Sequence, residues 1–422
     1  MHRHLRMNII KLILLSFTLM NPALCFTQPA GHMSVLFAGD LMQHSPQLKA
    51  AVQSDGAYAY DTCFSYISDH FHRAHLVIIN METTFAGAPY SGYPLFCSPN
   101  ELAIAARDAG INVFLTANNH ILDRGPRGVK RSVALYDSIG VDHCGTSNKW
   151  LLLEHNGIRL GLLNYTYGTN GHRIPKDICL NILDTTAIAC DIREVQQAGA
   201  DFIVCCLHWG VEYSMKPGAE QKRLALWLKK QGTGAVIGSH PHVPQGVDIT
   251  YDHNGNIEFL TAYSLGNFIS NQPGPMSRAG MLLGFDLVRK NGRVQIVQPF
   301  HEWVWTWRPA GKTGKRYHVL PVSDPRLYRN LIKNQQEVSL IAATIDSLRN
   351  FMKKNAPDCK ERKRYPLNER ENLYFGDHPS FCPVWTQQPV SSTYHKSFPP
   401  IKDRRTGRAD KSPGAAEAYS PL

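Results

Sequence analysis

Six short apolar runs recur between Ser34 and about Asp286, at residues 35–38, 76–79, 113–117, 160–163, 202–207 and 235–238. Each is too short to be a helix with its own apolar face, and each is bounded by polar or glycine residues. They read as strands. Amphipathic stretches fit between them. Residues 101–109 precede the third run and 128–139 follow it, while 220–231 place Leu224, Trp227 and Leu228 on one helical face. Gly110, Gly140 and Gly232 stand where a glycine ends a helix. Strand alternating with helix is the pattern of an α/β domain.

Five of the six runs lead into a carboxylate, an amide or an imidazole. The first leads to Gly39-Asp40, the second to Asn80-Met81-Glu82 and the third to Asn118-Asn119-His120. The fifth ends at His208 and the sixth runs into His240-Pro241-His242. In an open α/β sheet these strand ends share one edge, where ligand crevices form. The donor set contains oxygen and imidazole groups but no cysteine, which suits Mn, Fe or Zn better than a structural thiolate site. Two such ions bridged by a carboxylate lower the pKa of a water and clamp the oxygens of a displacement at phosphorus. A free imidazole beside them can protonate the leaving group.

Each element alone has an ordinary explanation. Gly-Asp is a common turn or cap, Glu82 a solvated loop residue, His208 a satisfied core histidine and Asn118-Asn119 a turn. Histidines two apart point the same way in extended chain, but the chain has 19 histidines and chance pairs arise. The joint placement at five strand ends favours a site.

The blocks Phe37-Ala-Gly-Asp-Leu-Met42, Ile79-Asn-Met-Glu82, Thr116-Ala-Asn-Asn-His-Ile-Leu-Asp-Arg-Gly125, Leu207-His-Trp-Gly-Val-Glu-Tyr213, Ile237-Gly-Ser-His-Pro-His-Val243 and Ala262-Tyr-Ser-Leu-Gly-Asn-Phe268 closely resemble the CapA family. These are capsule or poly-gamma-glutamate synthesis proteins, a branch of the calcineurin-like metallophosphatases. The resemblance covers about residues 33–286, with the six blocks in family order. It implies a four-layer α/β/β/α sandwich in a single domain, expected over 33–350. It also implies that Asp40 and His242 serve a first metal and that Glu82 bridges. Asn119, His208 and His240 would serve a second metal, with His120 as general acid. Trp209, Glu212 and Asn267 lie in family blocks and are expected along the cleft, in contact or structural roles.

Two departures bear on this. The wider superfamily carries a histidine two residues after the first aspartate, where this chain has Met42. A thioether is a poor ligand for a hard divalent ion, so one or two ions are expected. The CapA family generally shares this replacement. At His44 many family members have arginine; the imidazole is either a ligand or phosphate contact, or simply the start of a helix.

The remaining features concern location and partners. Arg3, Arg6 and Lys11, a mostly apolar stretch at 9–20, Pro22 and Ala23-Leu24-Cys25 read as a cleaved signal peptide over residues 1–25. An uncleaved or lipid-linked N-terminus that anchors the protein to a membrane is the second reading. Nine cysteines follow Cys25, with no C-x-x-C pair among them. Cys205 and Cys206 are expected to be buried thiols. Trp303, Trp305 and Trp307 alternate, as in a half-buried strand or a stacking platform. Residues 351–422 form a basic extension, expected to be disordered from about 387.

Of the formal charge of +11, three units fall in the first 25 residues and five after 350. The body that carries the strand-end residues is close to neutral. With 43% hydrophobic residues a wholly disordered chain is excluded. Nucleic-acid binding is not expected, because no recognition module is present. The expectation is an exported protein, in the periplasm or cell envelope, acting in capsule or envelope-polymer synthesis through a metal-dependent phosphoesterase-type site. The rival is a non-catalytic component that grips an anionic polymer in the same cleft during export, alongside membrane-bound synthesis or export proteins.

Overall fold

The computed structural model describes residues 31–311, 314–363 and 391–393. In chain order the main strands are β1 (His32–Leu41), β2 (Leu76–Met81), β3 (Val113–Leu115), β4 (Asp142–Cys144), β5 (Trp150–His155), β6 (Ile158–Thr166), β7 (Phe202–His208), β8 (Ala235–Ser239), β9 (Val247–Tyr251), β10 (Ile257–Ala262), β11 (Asn267–Ile269), β12 (Ala279–Lys290) and β13 (Arg293–Trp307). The main helices are α1 (Ser45–Ala51), α2 (Asn100–Asp108), α3 (Gly125–Ile139), α4 (Thr185–Gln197), α5 (Ala219–Lys230) and α6 (Gln335–Asn355).

The strands form two parallel groups. β1, β2, β3 and β4 run parallel in that order. β6, β7, β8 and β10 do the same, with β5 antiparallel to β6 and β9 antiparallel to β10. The antiparallel pair β12–β13 joins them: β12 lies against β1, and β13 meets β10 at the Ile296–Ile257 pair.

Side-chain alternation along these strands builds the layers. Val35 and Phe37 of β1 and Leu76 and Ile78 of β2 enter one core, and Val204 and Cys206 of β7 enter the same core from the other group. The two half-sheets therefore face each other. On the outer side of the first half, Leu36, Ala38, Val77 and Ile79 pack with Leu102, Ala103 and Ala106 of α2 and Leu135 and Tyr136 of α3. On the outer side of the second, Ile203, Cys205 and Leu207 pack with Ile188, Ile192 and Val195 of α4 and Ala225 and Leu228 of α5. The order is helix, sheet, sheet, helix, the expected four-layer α/β/β/α sandwich. Both faces of each central strand are buried, which is why the strands appear in the sequence as unbroken apolar runs.

The tryptophan series lies on β13, where Trp303 and Trp305 are buried in the central core rather than offered to a ligand. Val338, Ile341, Ile345, Leu348 and Met352 of α6 enter that core too. The body continues past residue 350: α6 runs to Asn355, and Lys360–Glu361 pairs with β13 at Phe300 and His301. Residues 1–25, read as a leader, lie outside the described residues, as does most of the stretch expected to be disordered from about 387. Within that stretch Ser391–Thr393 is a strand paired antiparallel with β5. Cys205 and Cys206 are buried thiols, and the cysteines among the described residues are free. Among the described residues no helix is long and apolar enough to cross a membrane.

Candidate metal centre

The parallel strands of both halves end at one rim, and the loops there touch backbone to backbone. Asp40 N–H donates to Gly266 O at 2.9 Å. A Cβ at Gly39 would fall inside van der Waals contact of that same carbonyl. A side chain at Gly39 would therefore push the rim apart and displace Asp40. His240 and His242 reach the rim differently from expectation. They are not in extended chain but at φ 94° and 60°, the left-handed region, on either side of Pro241. Such a conformation costs a non-glycine residue about 1 kcal/mol and is found where geometry matters.

Asp40, Glu82, Asn119, His208, His240 and His242 are all buried. Asn80 Nδ2 donates to Asp40 Oδ1 at 2.7 Å and to Glu82 Oε2 at 3.1 Å, spacing the two carboxylates. His242 Nδ1 lies 3.0 Å from Asp40 Oδ2 and 3.1 Å from Asn267 Oδ1. The Asn267 amide nitrogen donates to Ser270, Gln272 and Ser277, so its oxygen is the atom facing His242. With two acceptors before it, Nδ1 carries the proton, and the Nε2 lone pair faces Glu82 Oε1 at 3.8 Å.

His208 Nε2 lies 3.0 Å from Asn119 Oδ1 and 3.7 Å from Glu82 Oε1, while its Nδ1 lies 3.0 Å from Ser239 Oγ. Asn80 Nδ2 also faces His208 Nδ1 at 3.4 Å, so the ring is held between Asn80 and Ser239 on one side and Asn119 and Glu82 on the other.

Glu82 Oε1 and His240 Nδ1 are buried without a hydrogen-bond partner. Buried polar atoms are rarely left so, and each costs roughly 1–3 kcal/mol. Burial, with Asp40 next, pushes the Glu82 carboxyl well above the usual carboxylate range. Burial pushes His208 well below the usual imidazole range and, with His242 second, takes His240 down to about 4. A divalent cation would meet each of these demands: it answers the orphaned oxygen, favours ionised Glu82 and binds neutral imidazoles. The donor set fits a metal.

Ligand atoms of Asp40, Glu82 and His208 lie within 4.8 Å of one another, as do those of Glu82, His240 and His242. Glu82 belongs to both groups, consistent with a bridging carboxylate. These groups do not divide the residues between two ions: His242 also lies 3.0 Å from Asp40 and His208 3.0 Å from Asn119. Met42 directly follows β1, is buried, and its N–H donates to Ile269 O at 3.0 Å.

His120 is held beside this cluster by Asp123, whose Oδ2 lies 2.8 Å from His120 Nδ1 and also accepts the Phe96 N–H at 2.7 Å. The imidazole lines a cleft of about 230 Å³ shared with Tyr93, Pro94, Leu95, Asn119, Asp123, Asn170, His172 and Glu212. Asp123 stands three residues after His120 in the block 116–125, and no role for it is expected from the sequence blocks alone. Its spacing was the available signal. Asn80, Ser239 and Asn170 were also missed: only side-chain orientation shows that Asn80 spaces the carboxylates and that Asn170 accepts from Asn119 Nδ2 at 3.2 Å.

The other expected residues separate. Glu212 is exposed on the lip of the cleft. Asn267 stands behind His242 as an orienting group. Trp209 does not line the cleft: it is buried in the outer core of the second half, where its indole donates to Tyr263 O at 2.9 Å. His44 starts α1 with its N–H on Gln47 Oε1 at 2.8 Å, and Asn271 N–H donates to its Nδ1 at 3.2 Å. Burial takes it down to about 4. It belongs to neither ligand group, so a helix-start role accounts for its contacts.

The family model described as "Bacterial capsule synthesis protein PGA_cap" matches residues 34–272. The chain is 24% identical over 334 residues to the capsule biosynthesis protein CapA of Bacillus anthracis, covering 75% of this chain and 77% of that protein. It is 26% identical over 273 residues to the PGA biosynthesis protein CapA of Bacillus subtilis strain 168, covering 62% and 69% respectively. Among solved structures, the calcineurin-like phosphoesterase YfkN of Bacillus subtilis aligns at 13% identity and a TM-score of 0.39, over 77% of this chain and 99% of that one.

Proposed function

Because the chain belongs to the bacterial capsule synthesis protein family PGA_cap, we propose that it is an exported protein of the periplasm or cell envelope. It serves capsule or envelope-polymer synthesis and carries a metal-dependent phosphoester-cleaving site. The observation that carries the reading is Glu82: a fully buried carboxylate with an orphaned oxygen, common to both donor groups and next to a paired His120–Asp123. A divalent ion, one or two of Mn, Fe or Zn, would supply a water of lowered pKa and positive charge for the oxygens on phosphorus.

The chain's own residues do the rest. Asp40, Glu82, Asn119, His208, His240 and His242 hold the ligand geometry. Asn267 fixes the tautomer of His242. His120 delivers a proton to the leaving oxygen, while Asp123 keeps its Nδ1 protonated and its ring aimed at the cleft. Export rests on the leader-like residues 1–25, with retention through the N-terminus as its variant. The partners proposed are an anionic envelope polymer or phosphoester substrate, together with membrane-bound synthesis or export proteins.

Met42 and the direct Asp40–His242 pair favour a second reading, in which the cleft grips polymer without cleaving it. Purified residues 26–422, analysed for metal by mass spectrometry and assayed with phosphomonoesters and phosphodiesters in Mn²⁺, separate the two. The enzyme reading expects turnover that His120→Ala abolishes in a folded protein. Absence of turnover with every divalent ion, in a chain that still binds polymer, would overturn it.

A further inference from the structure

The turn that carries His240 and His242 is held by a closed ring of hydrogen bonds. His242 Nδ1 faces Asn267 Oδ1 at 3.1 Å, and Asn267 Nδ2 donates to Gln272 Oε1 at 2.8 Å. Gln272 Nε2 donates in turn to the Tyr213 hydroxyl at 3.2 Å, and the Tyr213 N–H donates to the Pro241 carbonyl at 2.8 Å. Pro241 is bonded to His242, so the circuit begins and ends on the same turn. Its two ends grip different parts of that turn: Asn267 holds the His242 ring, and Tyr213 holds the backbone between the two histidines. Gln272 joins the two grips.

The loop that presents Gln272 is fixed from behind. The Gln272 N–H donates to Ser270 Oγ at 3.3 Å, and its carbonyl accepts from Arg308 Nη2 at 2.7 Å. Arg308, directly after β13, also holds the Ser270 carbonyl at 3.1 Å. Between them the Asn271 N–H donates to His44 Nδ1 at 3.2 Å, and Asn271 Oδ1 accepts from the Tyr317 hydroxyl at 2.6 Å. None of these contacts uses the Gln272 side chain, which is buried and turned toward Asn267 and Tyr213. Such support matters at this turn, because His240 and His242 are both left-handed, a conformation that persists where the surroundings over-determine it. Asn267 Nδ2 has two further acceptors, Ser270 Oγ at 3.0 Å and Ser277 O at 2.8 Å. Loss of the Gln272 amide would therefore leave Asn267 in place but uncouple it from Tyr213.

Building on the reading of the strand-end cluster as a metal centre, we propose that Gln272 is a positioning residue of that centre. By holding Asn267 and Tyr213 at once, it fixes the direction in which His242 meets an ion at Glu82. Gln272 touches neither ion nor substrate. It acts on the His242 ring through Asn267 and on the backbone of the turn through Tyr213, and cutting either link loosens the imidazole. The family match ends at residue 272, so Arg308 and Tyr317, which anchor this loop, lie in the part of the chain beyond it.

The test measures metal binding in the purified protein, by calorimetric titration of the metal-free form with Mn²⁺ and by the visible absorption bands of Co²⁺ in the same site. Gln272→Met keeps the length of the side chain and removes both links. Tyr213→Phe keeps the ring and the N–H to Pro241 and removes one. Gln272→Met should weaken Mn²⁺ binding about tenfold and Tyr213→Phe about threefold. Both should shift the Co²⁺ bands while circular dichroism shows the metal-free proteins still folded. Because both substitutions cut one ring, the double variant should bind like Gln272→Met alone. Unchanged affinity and bands in folded Gln272→Met, or losses that multiply in the double variant, overturn the proposal. If Gln272→Met does not fold, Tyr213→Phe, at an exposed residue, decides: shifted bands and weaker binding support the ring, and wild-type behaviour overturns it. Wild-type protein that binds neither ion sinks the metal centre and this proposal with it, whereas wild-type binding with indifferent variants sinks this proposal alone.

Discussion

Two clusters of imidazoles occupy opposite ends of the same sandwich. At the rim, His208, His240 and His242 gather around Glu82. At the other pole, His32 opens β1, His75 precedes β2 and His155 ends β5. The lower three stack ring on ring, with His75 and His155 centroids 4.1 Å apart and His32 edge-on to His75 at 5.4 Å. His75 Nδ1 accepts the Ser34 N–H at 2.9 Å, and His32 Nε2 lies 3.3 Å from Asp286 Oδ1. Burial lowers members of each: at the rim His208 and, to about 4, His240; at the other pole His155 and, with His155 and His32 adding to the effect, His75 to about 3. What separates them is where the nitrogens aim. The rim histidines bring theirs to a shared carboxylate, while the lower ones face one another and local partners. Convergence of lone pairs on an anionic oxygen makes a metal centre; histidine density alone does not.

That contrast can be broken most directly by activity. His120→Ala should lower kcat/KM by about a hundredfold to ten-thousandfold. His155→Ala, at the far pole, should stay within about twofold, since surface-distant changes of this kind leave a site intact. Comparable losses from both variants would dissolve the distinction.

Metal content sharpens it next. Glu82→Gln replaces the carboxylate common to both donor groups with a neutral amide and should weaken Mn²⁺ binding by about a hundredfold. His155→Ala should leave the bound stoichiometry unchanged, as read by equilibrium dialysis and elemental mass spectrometry. Asp123→Asn should cost about ten- to a hundredfold in kcat at nearly unchanged KM, less than His120→Ala. Partial recovery in Asp123→Glu would mark orientation as its role, whereas a pure KM effect would count against it.

The smallest effect concerns pH and the lower cluster. His75 has a folded pKa below its unfolded value, so at neutral pH it is unprotonated in both states and contributes no pH dependence. As pH falls below about 6.5 the unfolded chain takes a proton that the folded one refuses until about 3, and stability is lost across that window. His75→Asn keeps an acceptor for Ser34 N–H without a titrating ring. Its unfolding free energy should therefore fall less steeply on acidification, by up to about 1.4 kcal/mol per pH unit. Urea denaturation of both proteins at pH 7.5, 6 and 5 measures this, and parallel slopes would remove His75 from the account.

The rim was largely legible in the sequence because parallel strands buried on both faces announce themselves as apolar runs, and their polar ends mark one edge. Asp40, Glu82, His208 and His240 stand at or just past such run ends, and the fold brings them together. The misreadings share a cause: sequence gives the position of a side chain but not its direction. Trp209 follows His208 in the same block yet points into the outer core, because strand alternation sends neighbours to opposite sides. His240 and His242 were expected to converge by extended-chain alternation and instead converge through two left-handed residues. The lower histidines come from residues 32, 75 and 155, which only the folded sheet brings together. No local spacing announces them.

Asp40, Glu82 and Asn119 come from one half-sheet, and His208, His240 and His242 from the other. The ligand set therefore spans some two hundred residues of chain, and neither half holds it alone. Loop-closure entropy on that scale means the set assembles only after both halves have docked. On the proposed function, metal affinity would therefore report on completed folding: a fragment ending before β7 would keep its carboxylates but lack the three imidazoles, and a partner that prised the halves apart would weaken any bound ion.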